Sequence, residues 1–538
     1  MQDDSAESSP EFRVGQRVHS ANDPRRIGTV KYVGPIEGHA GEWVGVDWDT
    51  GEAKHDGSVN GIRYFQAGSD RSGSFVRAKV ISPGISVVRA LELRYRTDST
   101  KEEEDEMYVF SASNKRVSVQ LVGKDKIQDK LSRFEELTGA SLSYLGVSTP
   151  GDPGQIGTAV PNLKELDLTG NLLSEWKDVC TICEQLPALA ALNLSNNLMS
   201  SDICGLAQLK SIRILVLNDT GIKWTQIEKL KHSLPAIEEL HLMGNNISTI
   251  EPTSSSVVQG FDSLRLLNLE DNCIAEWDEI LKLSQIRGLE QLHLNKNNLN
   301  RIYYPPNTRI HEFLGGNESQ KERKLFTSLR CLLLGGNNIE DLASVDALNS
   351  FPKLVDIRLS ENPVADPGRG GIPRFGLIAR LAKVEILNGS EVSPRERKDS
   401  EIRYVRLIMS KLHDPQEIKQ VHPRFAELKN FHGIEDERPS IGVASLQKMA
   451  SGLLSITLKC VGATMGEKPP LTKKLPATTT VGKLKSLSES FFKLKSIKPK
   501  LFLQEEGSPL PILLDDEMES LMDLGIGNGS TILIDEES

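Results

Sequence analysis

Leu163 to Asn171 reads LKELDLTGN, and its spacing, L-x-x-L-x-L-x-x-N with leucine or isoleucine at the apolar sites, recurs seven more times. The later copies are LAALNLSNN from Leu189, IRILVLNDT from Ile212, IEELHLMGN from Ile237, LRLLNLEDN from Leu264, LEQLHLNKN from Leu289, LRCLLLGGN from Leu329 and LVDIRLSEN from Leu354. The ninth position falls at Asn171, Asn197, Thr220, Asn245, Asn272, Asn297, Asn337 and Asn362, at intervals of 26, 23, 25, 27, 25, 40 and 25 residues. Self-similarity at this period marks a solenoid, in which no repeat buries its apolar face alone and stacked neighbours share one core. Each repeat is expected to turn its leucines inward from a short parallel strand, with the asparagine side chain bonding the backbone where the chain leaves that strand. The interval of 40 marks an insertion, RIYYPPNTRIHEFLGGNESQKERK, whose proline, glycine and charge predict a loop. In several repeats Trp176, Trp224 or Trp277 follows the asparagine, then apolar residues at helical spacing such as Val179, Ile182, Cys183 and Leu186, so the outer face is expected to be helical.

Outward from the array the pattern changes. At 538 residues the chain exceeds what one core serves, so several domains are expected. Residues 12–82 are rich in glycine and short β-type runs (RVHS, GTVKYV, WVGVDW, GIRYF, SFVRAKVI) and predict a small β-barrel. Residues 85–160 read as strands, VVRALELRY, MYVFSA and RVSVQLVG, broken by the solvated run KEEEDE, and form a connector and N-terminal cover of the array. The array with its C-terminal cap spans 161–410, the cap being the turn and amphipathic helix of VEILNGSEVSPRERKDSEIRYVRLI. A helical stretch and linker follow over 411–452. Residues 453–538 run strand, strand, helix, strands, the order of an α+β β-grasp.

Lysine plus arginine total 64 against 74 acidic residues, a net charge of −10, which works against nucleic-acid or anionic-membrane binding. Six scattered cysteines do not make a disulfide framework, and a reducing compartment fits best. The opening MQDDSAESSPEF has no apolar core of a signal peptide, and no stretch approaches the roughly 18 apolar residues of a membrane span. A soluble, cytosolic protein is expected. Cys180-Thr-Ile-Cys183 lacks the second ligand pair zinc requires, and Cys183 falls on an apolar helical stripe, so buried structural cysteine is the expectation. No metal or cofactor is expected. The basic cluster Arg395, Arg397, Lys398, Arg403 and Arg406 reads as a solvated helix face. Gly462 to Lys468 has the wrong spacing for a phosphate loop, and Pro469-Pro470 forbids the helix such a loop needs. With G-x-S-x-G and H-E-x-x-H also absent, the chain is not expected to be an enzyme.

The stretch GEWVGVDWDTGEAKHDGSVNGIRYF resembles the CAP-Gly family, whose hallmark loop is G-K-N-D-G followed by S-V-x-G-x-R-Y-F. Here the loop stands as Ala53-Lys54-His55-Asp56-Gly57, with Ala53 for the family's first glycine and His55 for its asparagine. The resemblance implies binding of acidic C-terminal tails that end in an aromatic residue, as on α-tubulin. Lys54, His55, Asp56, Gly57 and neighbouring amides would form the rim, and Trp43 and Phe75 would receive the aromatic ring. By residue type alone, Trp43 and Phe75 read sooner as ordinary core aromatics and Lys54 as a surface lysine, and it is the resemblance of the whole motif that reverses this reading. Ten basic against eight acidic residues over 12–82 leave this region mildly positive.

On the array, residues flanking the inward leucines should face the concave side: Glu165, Asp167, Asn193, Ile214, Val216, Glu239, His241, Met243, Leu266, Asn268, His293, Leu333, Asp356 and Arg358. Apolar Ile214, Val216, Met243, Leu266 and Leu333 among them predict a protein-binding patch midway along the curve, with His241, His293 and Arg358 beside it. The last 85 or so residues resemble ubiquitin, and the ending Asp535-Glu536-Glu537-Ser538, without a Gly-Gly tail, points to docking and away from conjugation.

The order of these modules, with LNGSEVSPRER in the cap and HPRF at His422 to Phe425, resembles the tubulin-folding cofactor E family over essentially the whole length. That resemblance implies capture of α-tubulin, a supercomplex with β-tubulin held by cofactor D, release of heterodimer after cofactor C joins, and dimer dissociation with cofactor B. Two other classes stay open at this stage. One is a microtubule plus-end adaptor, which would co-pellet with polymer; the other is a ubiquitin-pathway adaptor, docking on the proteasome through residues 453–538.

Overall fold

The computed structural model describes residues 12–96, 108–110, 116–118, 133–203, 205–253, 256–305, 324–411, 414–434, 453–462, 468–494, 498–504, 511–514, 517, 520–521, 524 and 526–536. The charged run 101–106, most of the insertion, Cys204, His413 and the linker 435–452 lie outside the described residues. The chain forms two compact units, Met1–Cys273 with Gln285–Leu289, and Ile274–Ser284 with Glu290–Ser538.

The first unit begins with seven strands: β1 (Arg17–Ser20), β2 (Asp23–Ile36), β3 (His39–Trp48), β4 (Ser58–Val59), β5 (Ile62–Arg63), β6 (Gly73–Val76) and β7 (Ile81–Ser82). Five form an antiparallel sheet in the order β6-β3-β2-β1-β7, so the expected barrel is an open one, while β4 and β5 make a separate hairpin. Period-two alternation sends Val44, Val46 and Trp48 of β3 into a core with Phe12, Val18, Val30 and Ile81. Ala53 belongs to that core, its methyl turned away from solvent.

Two residues, Pro83 and Gly84, separate β7 from the strand Ile85–Ser86, which pairs in parallel with Val147–Thr149 of the array's cover. The segment VVRALELRY, expected as a strand, is instead the helix Val87–Tyr95. Val87, Ala90, Leu91 and Tyr95 share its buried face, and the Ser86 hydroxyl caps it by accepting the Arg89 amide. Ser86→Ala is expected to cost about 1 kcal/mol of local stability, read as faster amide exchange over this helix with the rest of the unit unchanged. Tyr108–Phe110 and Arg116–Ser118 pair as antiparallel strands.

The array in this unit stacks Gly139–Ser141, Glu165–Asp167, Ala191–Asn193, Ile214–Val216, Glu239–His241 and Leu266–Asn268 in parallel register. The central leucines, Leu166, Leu192, Leu215, Leu240 and Leu267, are buried. Buried asparagines tie one repeat to the next. Asn245 Nδ2 donates to the Leu217 carbonyl at 2.8 Å, and its Oδ1 accepts the amides of Thr220 at 2.9 Å and Ile222 at 3.2 Å. Asn171 and Asn272 make the same bridge. Thr220, in the asparagine position, donates its hydroxyl to the Leu217 carbonyl of its own repeat at 3.0 Å and to Asn245 Oδ1 of the next at 3.2 Å. The tryptophans start outer helices, Trp176–Glu184 and Trp224–Leu230 in this unit. Cys180 and Cys183 are buried on the first of these, and burial pushes both thiols up.

In the second unit Trp277 starts the helix Trp277–Leu281. The strands Gln291–His293, Cys331–Leu333, Asp356–Arg358 and Ile386–Leu387 run parallel, and Ser390–Glu391 closes them antiparallel. The helix Pro394–Lys411 packs with Arg374–Arg380 and Phe425–Phe431 around Phe375, Ala379, Tyr404, Val405, Ile408 and Leu428. The basic cluster on this helix departs from a solvated face. Arg395, Lys398 and Arg406 are exposed, but Arg397 donates to the carbonyls of Ile378, Leu381 and Val384. Those groups sit where a helix runs out of internal donors, which is what draws the guanidinium inward. Arg403 lies 3.7 Å over the Phe375 ring and donates to the Leu524 carbonyl.

The HPRF segment is part of the same packing. Arg424 donates to the Ala379 carbonyl and to Glu427, and His422 lies against Tyr404 and Arg380. The last module has the strand order Leu471–Pro476, Leu453–Cys460, Thr531–Glu536, Pro499–Gln504, Ile512–Leu514. Its first and last strands in sequence run parallel, and the helix Val481–Phe492 covers one face through Val481, Leu484 and Phe492, the β-grasp arrangement expected from element order. Among the described residues no helix is long and apolar enough to cross a membrane.

Candidate peptide groove and concave face

Because Val44 and Val46 point inward, Trp43 and Gly45 of β3 point to the opposite face, Gly45 in register with Tyr32 of β2 and Phe75 of β6, and Trp43 with Gly34 of β2. Gly45 is flanked by Tyr32 and Phe75, and a Cβ there would stand 2.6 Å from the Phe65 ring. Its missing side chain lets aromatic rings close over the strand. Phe75 is their centre: its centroid lies 5.2 Å from Phe65, 5.6 Å from Tyr64, 6.4 Å from Tyr32 and 6.1 Å from His55, mostly edge-on.

Asn60 and Gly61, both at positive φ, turn the β4–β5 hairpin that brings Tyr64 and Phe65 back over this face. The amides of Tyr64 and Phe65 return to the Gly57 carbonyl. Gly57 itself sits at φ +95°, and a Cβ there would come within 2.0 Å of the Phe65 carbonyl oxygen, so the position admits only glycine. The 54–57 loop is laid along β6, with the His55 amide donating to Gly73 at 3.0 Å and the Gly73 amide returning to His55 at 2.8 Å.

Lys54 is exposed and His55 half-buried at the edge of the aromatic cluster. Asp56 faces its own loop. It accepts the Ser58 hydroxyl and, at 3.0 Å, the Ser58 amide, and it is 2.7 Å from the Arg63 guanidinium. Those hydrogen bonds from Ser58, with help from Arg63, hold its carboxyl down to about 2. Trp43 stands on the same sheet face as Phe75 but with other neighbours: the Arg77 guanidinium 3.9 Å above its ring and His39 edge-on at 5.9 Å. Arg77 also donates to the carbonyls of Glu42 and Ala40, which fixes it there. Both Trp43 and Phe75 are half-buried and outside the hydrophobic core of the sheet.

Tyr32, Tyr64 and Phe65 around Phe75, and Arg77 over Trp43, join the candidate site beyond the tail-binding residues expected from the sequence. The Asn60-Gly61 pair, a hairpin signal, is what would have placed Tyr64 and Phe65.

On the array of the first unit, Ile214, Val216, His241, Met243 and Leu266 are half-buried on the face opposite the leucine core. Ile214 is registered with Ala191 and Glu239, Val216 with Asn193 and His241, and Glu239 with Leu266. His293, Leu333 and Arg358 hold the equivalent place in the second unit, His293 registered with Leu333 and Leu333 with Arg358.

A small β module with an aromatic groove, a leucine-rich solenoid and a β-grasp module on one chain define a multidomain protein-binding scaffold. Residues 14–81 match the CAP-Gly domain and residues 227–407 match a leucine-rich repeat. The chain is 66% identical to Tubulin-folding cofactor E of Arabidopsis thaliana, over 99% of this chain and 100% of that protein. It is 32% identical to Tubulin-specific chaperone E of Danio rerio, over 97% of this chain and 98% of that one. The solved C-terminal ubiquitin-like domain of mouse tubulin-specific chaperone e is 25% identical over 18% of this chain and 95% of that domain, at a TM-score of 0.15. The chain belongs to the tubulin-folding cofactor E family.

Proposed function

We propose that this protein is a tubulin-folding cofactor that binds α-tubulin at two places and assists assembly, and dissociation, of the α/β-tubulin heterodimer. It acts in the cytoplasm as a binding protein and not as an enzyme. The observation that carries the reading is the aromatic cluster centred on Phe75, outside the core and bordered by Lys54 and His55, in a chain of this family. Phe75 and Trp43 offer apolar and π surface to a terminal aromatic ring, while Lys54, His55 and the loop amides suit the acidic residues before it. Asp56 and Gly57 serve by shaping the loop, since the carboxylate is occupied by Ser58 and Arg63.

A tail contact of a few residues is weak by itself. Once the tail is held, the concave face around Ile214, Val216, His241, Met243 and Leu266, and that around His293, Leu333 and Arg358, meets the client's body at high effective concentration. In this reading β-tubulin with cofactor D, and cofactors B and C, join as further partners, and the β-grasp module is the part open to the proteasome.

The test is binding of an acidic α-tubulin tail peptide, with and without its last residue, to the full chain by fluorescence anisotropy. Loss of the terminal aromatic residue, or Phe75→Ala, is expected to weaken binding about 30-fold, the effect of removing one central aromatic anchor. Equal binding of both peptides would remove the tail-capture step.

A further inference from the structure

The strands of the first unit carry their solvent-facing residues in register, so charge can be followed along each row. The row through the first strand position holds Gly139, Glu165, Ala191, Ile214, Glu239 and Leu266. The row through the third holds Ser141, Asp167, Asn193, Val216, His241 and Asn268. Neither row contains a lysine or arginine, and two residues further on the row of Ser143, Thr169, Ser195, Asn218, Met243 and Glu270 adds another acid. Lys164, Arg265 and Arg213 stand at the edge where the strands begin, the last paired with Glu238, and Arg17 and Arg25 stand beside Tyr144 and Asp219 at the opposite edge.

Over the near end of these rows lies a hollow of about 460 Å³, lined by Tyr95, Glu165, Asp167, Asn193, Ile214 and Val216 among others. Tyr95 is fixed there by the Ser141 amide, which donates to its hydroxyl at 2.9 Å. Burial alone would push the Asp167 carboxyl up, but hydrogen bonds from Ser143 at 2.6 Å, Thr169 and Ser141 at 3.0 Å pull it below the usual range. The hollow therefore combines fixed negative charge with the apolar surface of Ala191, Ile214 and Val216.

We propose that this acid-lined apolar hollow docks a basic amphipathic segment on the folded body of the client, leaving the client's acidic tail to the groove around Phe75. The proposal rests on the tubulin reading above and assigns the chemistry of its second contact. The Glu165 and Asp167 carboxylates, with no lysine or arginine lining the hollow beside them, attract basic side chains, and Ile214 and Val216 need an apolar partner to leave water. The same carboxylates repel an acidic tail, so each part of the client has one place to go.

The test uses the full chain, intact tail peptide, and αβ-tubulin trimmed of its acidic tails by limited proteolysis. Trimmed tubulin is expected to bind, to bind more weakly as salt rises, and to lose roughly tenfold or more in affinity in Glu165→Lys and in Ile214→Lys. Tail-peptide binding should be unchanged in both variants. Glu165 is exposed, so Glu165→Lys keeps the test open if Ile214→Lys misfolds. Trimmed tubulin binding Glu165→Lys as well as the original chain would overturn the proposal. So would tail-peptide binding without any binding of trimmed tubulin, an outcome that leaves tail capture standing, whereas binding of neither ligand would sink both readings.

Discussion

Asn245→Ala is expected to cost the array of the first unit about 3 kcal/mol, far more than its small change in apolar area implies. The side chain is buried, and its removal strands the amides of Thr220 and Ile222 where water has no access and leaves the Leu217 carbonyl only the Thr220 hydroxyl. Each orphaned group costs about 1–3 kcal/mol, and local relaxation recovers part of the sum. The repeat before offers no equivalent bridge, because the Thr220 side chain has a hydroxyl in place of the amide an asparagine would extend toward it. Asn245→Asp separates the two halves of the bridge: it keeps acceptors for both amides and sets a carboxylate against the Leu217 carbonyl. Urea unfolding should show a lower midpoint for both variants, and amide exchange at Thr220 and Ile222 should accelerate strongly only in the alanine variant. An unchanged midpoint in Asn245→Ala would mean that leucine packing alone holds the repeats.

That ladder was the most legible part of the chain, because a fixed period of roughly 25 residues leaves one way to stack the leucines and one place for the asparagine. The β-grasp module was legible from element order for a similar reason, with few alternative pairings for its strands. Val87–Tyr95 was not. Its apolar residues fit period two nearly as well as 3.6 over nine positions, and the deciding signal was the single hydroxyl of Ser86 one residue upstream. Arg397 and Arg403 also escaped, since their burial depends on carbonyls of Ile378, Leu381, Val384 and Leu524 that no local pattern places beside them.

At the candidate groove, the motif pointed to Trp43, Lys54, His55 and Phe75, whereas Tyr32 and Tyr64 reach Phe75 only through strand register and the Asn60-Gly61 turn. Tyr95 illustrates the same limit on the concave face. It stands 46 residues from Ser141 in sequence, and the contact exists because the helix Val87–Tyr95 lies where it does.

Arg380→Ala should destabilise the second unit by about 3 kcal/mol, the low end of the cost of breaking a buried pair, because the Asp346 carboxylate it leaves behind is half-buried and has Arg424 nearby. Arg380 is 1% exposed. Its guanidinium lies 2.6 Å from the Asp346 carboxylate, donates to the Val421 carbonyl and meets His422 Nδ1 at 3.2 Å. It thus fastens the chain around the HPRF segment to the helix Arg374–Arg380. Truncation should free Pro415–Val421 and Phe425–Phe431 for proteolysis before the repeats unfold.

Acidity gives the prediction a second, independent readout. Burial, then the nearby Arg380 charge, hold His422 down to about 4, below the ordinary 6.5. The unfolded chain therefore binds more protons between those values, and the stability His422 contributes is present above about 6.5 and lost as pH falls toward 4. Without Arg380 that depression eases. Burial already raises the Asp346 carboxyl, and with its cation gone it takes up a proton more readily. Both effects have one sign, so the deficit of Arg380→Ala relative to the original chain should shrink on acidification. Arg380→Met combined with Asp346→Leu should recover most of the loss at neutral pH, because an apolar pair leaves no charge stranded. A single variant within about 1 kcal/mol of the original chain, or a deficit that grows as pH falls, would show that the ion pair does not hold the cap.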